Sequence, residues 1–396
     1  MSVTLDPQAA ALCDRIRRAG GGGFAGRTVA EIRRTGLALS GTWSLDDQSL
    51  GVVAQLSRTD GATAATIAGA LGLSPETVTE CLDDLRRGGY VRVREAPDGS
   101  KRWSSLITGQ RRRGGEASAA LFQLLGDDDT SGASDPTRDI DVREGVVLRI
   151  YRPEHHPRHE SLPVVVFVHG GAWVSGTLDS YDNTCSSMVE LADCIVVSVE
   201  YRLAPEHPFP TQVDDSLAAL GWVIEHITEI GGDPRRIALM GDSAGGNLAT
   251  VIALIAAGEG WFRAVLQVLL YPVLDPRMES PSVVEHADAP LFNRADLEWM
   301  YEQYRAPADD WRASPLAAPD LSGAPPTLIV VAGIDPVRDD GVRYGARLAE
   351  AGIAVDVEVF PTMMHGFFAL APALAEASRA RELVADALRR AFGTQP

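Results

Sequence analysis

The sequence predicts an α/β fold built on a mostly parallel sheet, preceded by a small N-terminal domain of helices and a hairpin. Three observations predict it. Beyond residue 136, short Val- and Ile-rich runs alternate with helical stretches, the pattern of a parallel sheet covered on both faces. Within that region Gly241-Asp242-Ser243-Ala244-Gly245-Gly246-Asn247 joins an apolar run to an apolar helix through a very tight turn. The 396-residue chain is too long for one ordinary small domain, and its formal net charge of -18 is unevenly spread. Residues 1–115 hold 16 basic against 12 acidic side chains, which leaves -22 on the remaining 281. A basic head on an acidic body predicts different tasks for the two parts and argues against nucleic-acid or anionic-membrane binding by the body.

Taken in order, residues 1–45 are expected to form a helical segment. It holds an amphipathic helix over 7–19, the run Gly20-Gly21-Gly22-Gly23 and a helical patch over 29–39, and no function follows from it. Residues 46–115 show a tighter pattern. A helix carrying Leu50, Val53 and Leu56 precedes Ala64–Leu71, the turn Gly72-Leu73-Ser74, and a helix Pro75–Arg87 with Ser74 as N-cap and Gly88 as stop. Two short strands, 90–94 and 101–103, follow around Pro97-Asp98-Gly99, a hairpin signal. Helix, turn, helix and basic hairpin make a winged helix. The segment resembles the MarR-type winged-helix regulators, and it is similar to the winged dimerisation domain of small-molecule O-methyltransferases. On Pro75–Arg87, Val78, Leu82 and Leu85 mark the core face and leave Glu76, Glu80 and Asp83 outside, where a recognition helix would meet a polyanion. Arg92, Arg94, Lys101 and Arg102, with Arg111, Arg112 and Arg113, offer phosphate contacts on the wing. The expected role is homodimerisation or shaping of an active-site entrance; sequence-specific DNA binding is the second reading.

Residues 116–136 are expected to form one more helix, 116–125, and then an acidic, Ser- and Pro-containing linker that cannot build a core. The last domain is 137–396. Its expected strands are 164–168, 195–199, 237–240, 265–270, 328–331 and 355–360, and ligands of such sheets bind at the carboxyl ends of the strands.

Those ends carry the chemistry. Gly-x-Ser-x-Gly places Ser243 on a strained elbow, and a hydroxyl there needs a base, an acid to orient the base, and donors for the oxyanion. His365 follows the last run and Asp335 the one before, giving the order Ser243, Asp335, His365 of an α/β-hydrolase. Asp339 is the rival acid, placed four residues further on inside the next helix. The run 164–168 leads into His169-Gly170-Gly171-Ala172-Trp173. Gly170, Gly171, Ala172 and Ala244 are the expected oxyanion-hole residues; Gly171 and Ala172 are the preferred donors of the loop, Gly170 also allows the loop to approach closely, and His169 is a structural hydrogen-bonding residue.

Together these motifs resemble the hormone-sensitive-lipase-like carboxylesterases, which have an HGGG loop and a GDSAGG elbow. Asp335-Pro336-Val337-Arg338-Asp339 fits that family's DPLRD, His365-Gly366-Phe367 its HGF, and Tyr201-Arg202-Leu203-Ala204-Pro205-Glu206-His207-Pro208-Phe209-Pro210 a structural hallmark. The third glycine of HGGG is here Ala172, whose N–H still donates while its methyl narrows the space beside the scissile carbonyl. The resemblance implies a serine hydrolase without a cofactor, acting on small esters of modest acyl chain length. It also implies a cap insertion at about 275–315, where Phe292, Trp299, Tyr301, Tyr304 and Trp311 either line a pocket or pack the cap. Deacetylation, acyl transfer or dehydration on the same fold are the alternatives, and a ligand-responsive DNA-binding regulator is the reading from another class.

Three further expectations complete the picture. Cys13, Cys81, Cys185 and Cys194 make no C-x-x-C and are expected to be core thiols of a reduced, cytoplasmic protein. No signal peptide or membrane-spanning run is evident. His155, His156 and His159 lie in a Pro-rich loop without ordered ligand spacing, so no metal site is expected.

Overall fold

The structure is a computed structural model, and it describes residues 4–18, 52, 55–56, 62–87, 91–95, 101–105, 136–157, 160–371 and 373–394. The expected helices at 29–39 and 116–125, most of the linker, the hairpin turn at 97–99, and Gly88 and Arg111 to Arg113 lie outside the described residues. The chain divides into two compact units, residues 10–133 and residues 1–9 with 134–396.

Helix α1 (Pro7–Arg18) is capped by Asp6, whose carboxylate accepts from the N–H groups of Gln8 and Ala9 at 2.9 and 3.2 Å. In the smaller unit α2 (Ala64–Leu71) starts on a Thr63 cap and stops at Gly72 in the left-handed conformation, and α3 (Pro75–Arg87) starts on Ser74, which accepts from Thr77 N–H at 3.1 Å. Strands β1 (Val91–Glu95) and β2 (Lys101–Ser105) pair antiparallel as the wing. Ile67, Val78, Leu82, Leu85 and Trp103 close one apolar core with Leu56. Glu76 and Glu80 are exposed as expected, whereas Asp83 is half-buried.

The larger unit is an eight-stranded sheet: β3 (Pro136–Arg143), β4 (Val146–Tyr151), β5 (Leu162–Val168), β6 (Ile195–Glu200), β7 (Gly232–Asp242), β8 (Gln267–Leu270), β9 (Thr327–Ile334) and β10 (Val355–Met364), in the order β10-β9-β8-β7-β5-β6-β4-β3. Strands β5 to β10 are parallel, and β3 and β4 are antiparallel at one edge. All seven residues of β5 are buried, as a central strand covered on both faces requires. The chain leaves β5 toward β6 on one side and returns through β7 to the other, so the β5 and β7 ends flank a topological switch point.

Helices α4 (Asp182–Ala192), α5 (Thr211–Glu225), α6 (Ala244–Gly258), α7 (Pro281–Glu285), α8 (Arg294–Tyr304), α9 (Arg338–Glu350) and α10 (Ala375–Phe392) complete the unit. Helices α7 and α8 lie between β8 and β9, where the cap insertion is expected. The β3–β4 pair was not among the expected strands. β4 alternates buried and half-buried positions and β3 carries Asp139, Asp141 and Arg143, so neither forms the continuous apolar run that marks a central strand. All four cysteines are buried thiols. No helix among the described residues is long and apolar enough to cross a membrane.

Candidate active site

Strand β7 ends on Asp242 and α6 begins at Ala244, so Ser243 must reverse the chain in a single residue. It does so at φ 52 and ψ -119, a conformation that costs a non-glycine residue about 1–3 kcal/mol. The flanking glycines are needed for space. A Cβ on Gly241 would sit 2.3 Å from the Gly245 carbonyl oxygen, and one on Gly245 would sit 2.0 Å from that of Val168. The Ser243 amide donates to Leu270 O at 2.8 Å, which ties the elbow to β8.

The other two groups arrive from neighbouring strand ends. His365 follows β10 and Asp335 follows β9. His365 Nε2 lies 2.8 Å from Ser243 Oγ, and His365 Nδ1 lies 2.7 Å from Asp335 Oδ2. Asp335 is fully buried, and its Oδ1 accepts the Val337 N–H at 3.0 Å, so one carboxylate oxygen is fixed and the other faces the imidazole. Asp339 is directed elsewhere: its carboxylate accepts from Ser282 N–H at 3.0 Å and from Arg338 Nε at 2.8 Å.

The loop after β5 folds against this group. Gly171, Ala172 and Trp173 all have positive φ, at 111, 57 and 58. Val174 and Ser175 N–H both donate to Gly171 O, at 3.0 and 2.9 Å. Gly170 departs from the expected donor set. Its N–H is given to Asp242 Oδ1 at 2.7 Å, so it anchors the loop, and a Cβ there would meet Asp242 Oδ2 at 2.6 Å. Ala244 is the first residue of α6, where a helix leaves its N–H groups without intrahelical partners and its dipole favours negative charge.

Two buried groups support the loop from behind. The Asp242 carboxyl accepts from Gly170 N–H and from Tyr181 Oη at 3.1 Å, and burial pushes its pKa up to about 6 against those donors. Tyr201 donates to His169 O at 2.9 Å and its ring stacks on the His169 imidazole, 4.3 Å between centroids. Burial pushes His169 down to about 4, and its Nδ1 meets Gly170 O at 2.7 Å, which fits a neutral structural ring and not a base. Asp242 was not singled out in the sequence. Its signal was available, since a carboxylate next to Ser243 at the end of a buried strand must find donors.

A family profile described as an α/β hydrolase fold matches residues 165–369, more than half of the chain. The chain belongs to that family. A second profile, described as winged helix-turn-helix DNA-binding, matches residues 45–92. The hydrolase is 46% identical over 242 residues to carboxylesterase NlhH of Mycobacterium tuberculosis (strain ATCC 25618 / H37Rv), which covers 59% of this chain and 75% of that one. It is 37% identical over 292 residues to ethyl acetate hydrolase of Pseudomonas putida, covering 72% and 91%. Among solved structures it is similar to EstE1, a thermophilic carboxylesterase cloned from a metagenomic library. That likeness has 39% identity and a TM-score of 0.62, and covers 65% of this chain and 89% of EstE1.

Three of the cap aromatics make distinct packing contacts. Phe292 is buried and stacks on His365, 4.3 Å between centroids at 28°. Tyr304 packs instead on Trp173 of the loop after β5, 3.9 Å between centroids and nearly parallel, with Phe209 edge-on at 5.4 Å. Trp311 is half-buried against the apolar cluster of Leu274, Leu316 and Tyr344. Asn247 pins both ends of the insertion, its Nδ2 donating to Val273 O at 3.0 Å and Ala313 O at 3.1 Å.

The histidine loop is more ordered than its sequence suggests. His155 Nε2 and His156 Nε2 meet Asp193 Oδ1 at 3.0 and 2.8 Å, and His156 Nδ1 meets Glu160 at 2.8 Å. The Glu160 hydrogen bond raises the His156 pKa, as a ring between two carboxylates requires. His155, His156 and Asp193 are the set among the described residues whose ligand atoms, within 4.8 Å of one another, could hold a metal ion. His159 lies outside the described residues.

Proposed function

We propose that this protein is a serine ester hydrolase that works through an acyl-enzyme on Ser243. The observation that carries the reading is the continuous hydrogen-bonded line from Ser243 Oγ through His365 to Asp335, at 2.8 and 2.7 Å. In this reading His365 takes the Ser243 proton as the oxygen attacks the ester carbonyl. The N–H groups of Gly171, Ala172 and Ala244 stabilise the oxyanion. His365 then protonates the departing alcohol, and a water repeats the sequence to release the acid. Asp335 holds the imidazole in the required tautomer and stabilises the imidazolium. These side chains and amides supply every step, so the reading assigns no cofactor.

The substrate class is small esters with short acyl chains. Supporting this are the buried Ala172 in the loop after β5, the Phe292 ring against His365, and the Trp173–Tyr304 stack, which place bulk next to the residues of the site. The similarity to an enzyme named for ethyl acetate points the same way. The test is turnover of an aryl ester series from acetyl to dodecanoyl by wild type and Ser243→Ala. Turnover of acetyl and butyryl esters that vanishes in the variant is expected; equal rates on acetyl and dodecanoyl esters would contradict the size assignment.

We also propose that residues 46–115 form a winged-helix domain that serves homodimerisation, joined through 116–136 to the hydrolase domain at 137–396. The exposed Glu76 and Glu80 on the second helix of the helix-turn-helix support this over base reading. The exposed Lys101 and Arg102 favour DNA phosphate contact as the second reading. A cytoplasmic location is part of the same proposal, supported by four buried thiols.

A further inference from the structure

The turn that carries Asp335 is held from outside its own chain segment. Asp335 leaves β9, and α9 begins three residues later at Arg338. The N-cap of α9 is Val337, which has no side-chain acceptor for the orphan N–H groups of the first turn. The cap insertion provides one. Ser282, in α7, accepts the Asp339 N–H on its Oγ at 3.1 Å and donates the same hydroxyl to Pro336 O at 2.7 Å. Its own N–H donates to Asp339 Oδ2 at 3.0 Å. Ser282 is fully buried and spends its amide N–H and its hydroxyl on the five-residue segment that begins with Asp335.

A parallel contact lies beside it. Asp340 Oδ1 accepts from Ser280 Oγ at 2.7 Å, and its Oδ2 accepts from Leu274 and Asp275 N–H at 3.1 and 3.2 Å. The same insertion places Phe292 on the other member of the pair, the His365 ring. The insertion therefore touches the Asp335 turn from behind and the His365 imidazole from its face.

We propose that the cap insertion positions the acid of the triad, with Ser282 and Asp339 as positioning residues that act through Asp335. This rests on the reading of Asp335 as the acid. The Asp335 carboxylate is oriented by the Val337 N–H, whose direction is set by the conformation of residues 335–337. Ser282 ties Pro336 inside that turn to Asp339 at its far side. Releasing the tie lets the carboxylate drift from His365, and a misplacement of about 1 Å in such a constellation costs on the order of 100-fold in rate. Substrate contacts are not altered, so KM is not the affected quantity.

The experiment uses the full chain and p-nitrophenyl acetate, with active sites counted from the burst so that misfolded protein does not enter the rate. In Ser282→Ala and Asp339→Ala, kcat per titrated site falls about 10–100-fold while KM stays close to wild type. Asp339→Asn keeps an oxygen for the Ser282 N–H and recovers most of that loss. Ser282→Ala removes the two Oγ bonds and Asp339→Ala the separate Ser282 N–H bond, so the double variant Ser282→Ala/Asp339→Ala loses more than the more damaged single variant but less than the product of the two losses. An unchanged kcat per site in Ser282→Ala overturns the proposal, and so does Asp339→Asn as damaging as Asp339→Ala. Full activity of Asp335→Asn beside a dead Asp339→Asn would instead overturn the assignment of the acid, and the proposal with it.

Discussion

The two units of the chain were assembled by the same rules of helix capping and apolar packing, yet they differ in how closely structure determines use. In the larger unit, side chains from three strand ends meet in one hydrogen-bonded line, Ser243 to His365 at 2.8 Å and His365 to Asp335 at 2.7 Å, and the proposed reaction depends on that geometry. In the smaller unit, Ile67, Val78, Leu82, Leu85 and Trp103 do no more than close a core. Bond-making fixes atoms to fractions of an ångström, whereas a docking surface needs only shape and charge. The proposed functions therefore draw on the larger unit's interior and on the smaller unit's exterior.

The largest effects should come from breaking the interior constellation. Ser243→Ala or His365→Ala is expected to lower kcat by about 10⁴–10⁶-fold, and Asp335→Asn by about 10⁴-fold through the wrong imidazole tautomer. Steady-state kinetics with titrated active sites checks this. A mild Asp335→Asn would dissolve the contrast between the units.

A smaller effect is expected at the oxyanion loop. Ala172 holds φ 57 with its methyl buried, and Ala172→Gly should widen the acyl range by about 1–3 kcal/mol in discrimination for each misfitting methylene. The chain-length series above, repeated on the variant, is the measurement. The same change should leave the preference among alcohol groups unaltered, because the methyl faces the acyl side in this account.

The pH dependence of stability sharpens the comparison further, because it isolates the buried carboxyls of the catalytic unit. Burial, reinforced by the neighbouring Asp275, pushes Asp340 up to about 7 from an unfolded value near 3.8, against the Ser280 and Leu274 donors and the nearby Arg343. The folded state then holds a proton that the unfolded chain releases. Its contribution is complete below about pH 3.8 and is lost as pH rises through about 7. Wild type should lose Tm relative to Asp340→Asn between pH 5 and 8, by about 2–4 °C for each kcal/mol. A difference that is flat with pH, or grows in favour of wild type, would contradict it.

The smallest effect on turnover belongs to the exposed face of the other unit. Glu76→Lys with Glu80→Lys should change esterase rates by no more than about twofold, since exposed substitutions away from any network are nearly neutral. Native mass spectrometry is expected to give a dimer for the full chain and a monomer for a chain starting at residue 137. A salt-steep, sequence-selective nanomolar affinity for DNA, with the dimer unchanged in the shorter chain, would replace dimerisation by DNA binding.

Most of the catalytic unit was legible because its signals are local. Gly241 and Gly245 announce a close approach of backbones, and the residues just past β9 and β10 are where a parallel sheet puts its chemistry. What was not legible depends on contacts between distant segments. The capture of the Gly170 amide by Asp242 joins residues 72 apart, and the Ser282–Asp339 contact joins residues 57 apart. The antiparallel β3 and β4 escaped for a different reason, since a strand paired near a sheet edge does not need to be apolar on both faces. The helix boundaries of the winged unit were readable from Ser74 and Gly72, but its role was not, because capping and core residues say nothing about what the outer face meets.

The most direct test of the central claim is to quench the wild-type enzyme during turnover of an activated acetyl ester and map the acetylated peptide by mass spectrometry. The account predicts one acetyl group, on Ser243, which disappears on chase and is absent from Ser243→Ala. Acetyl transfer to another residue, or undiminished turnover in Ser243→Ala, would contradict it.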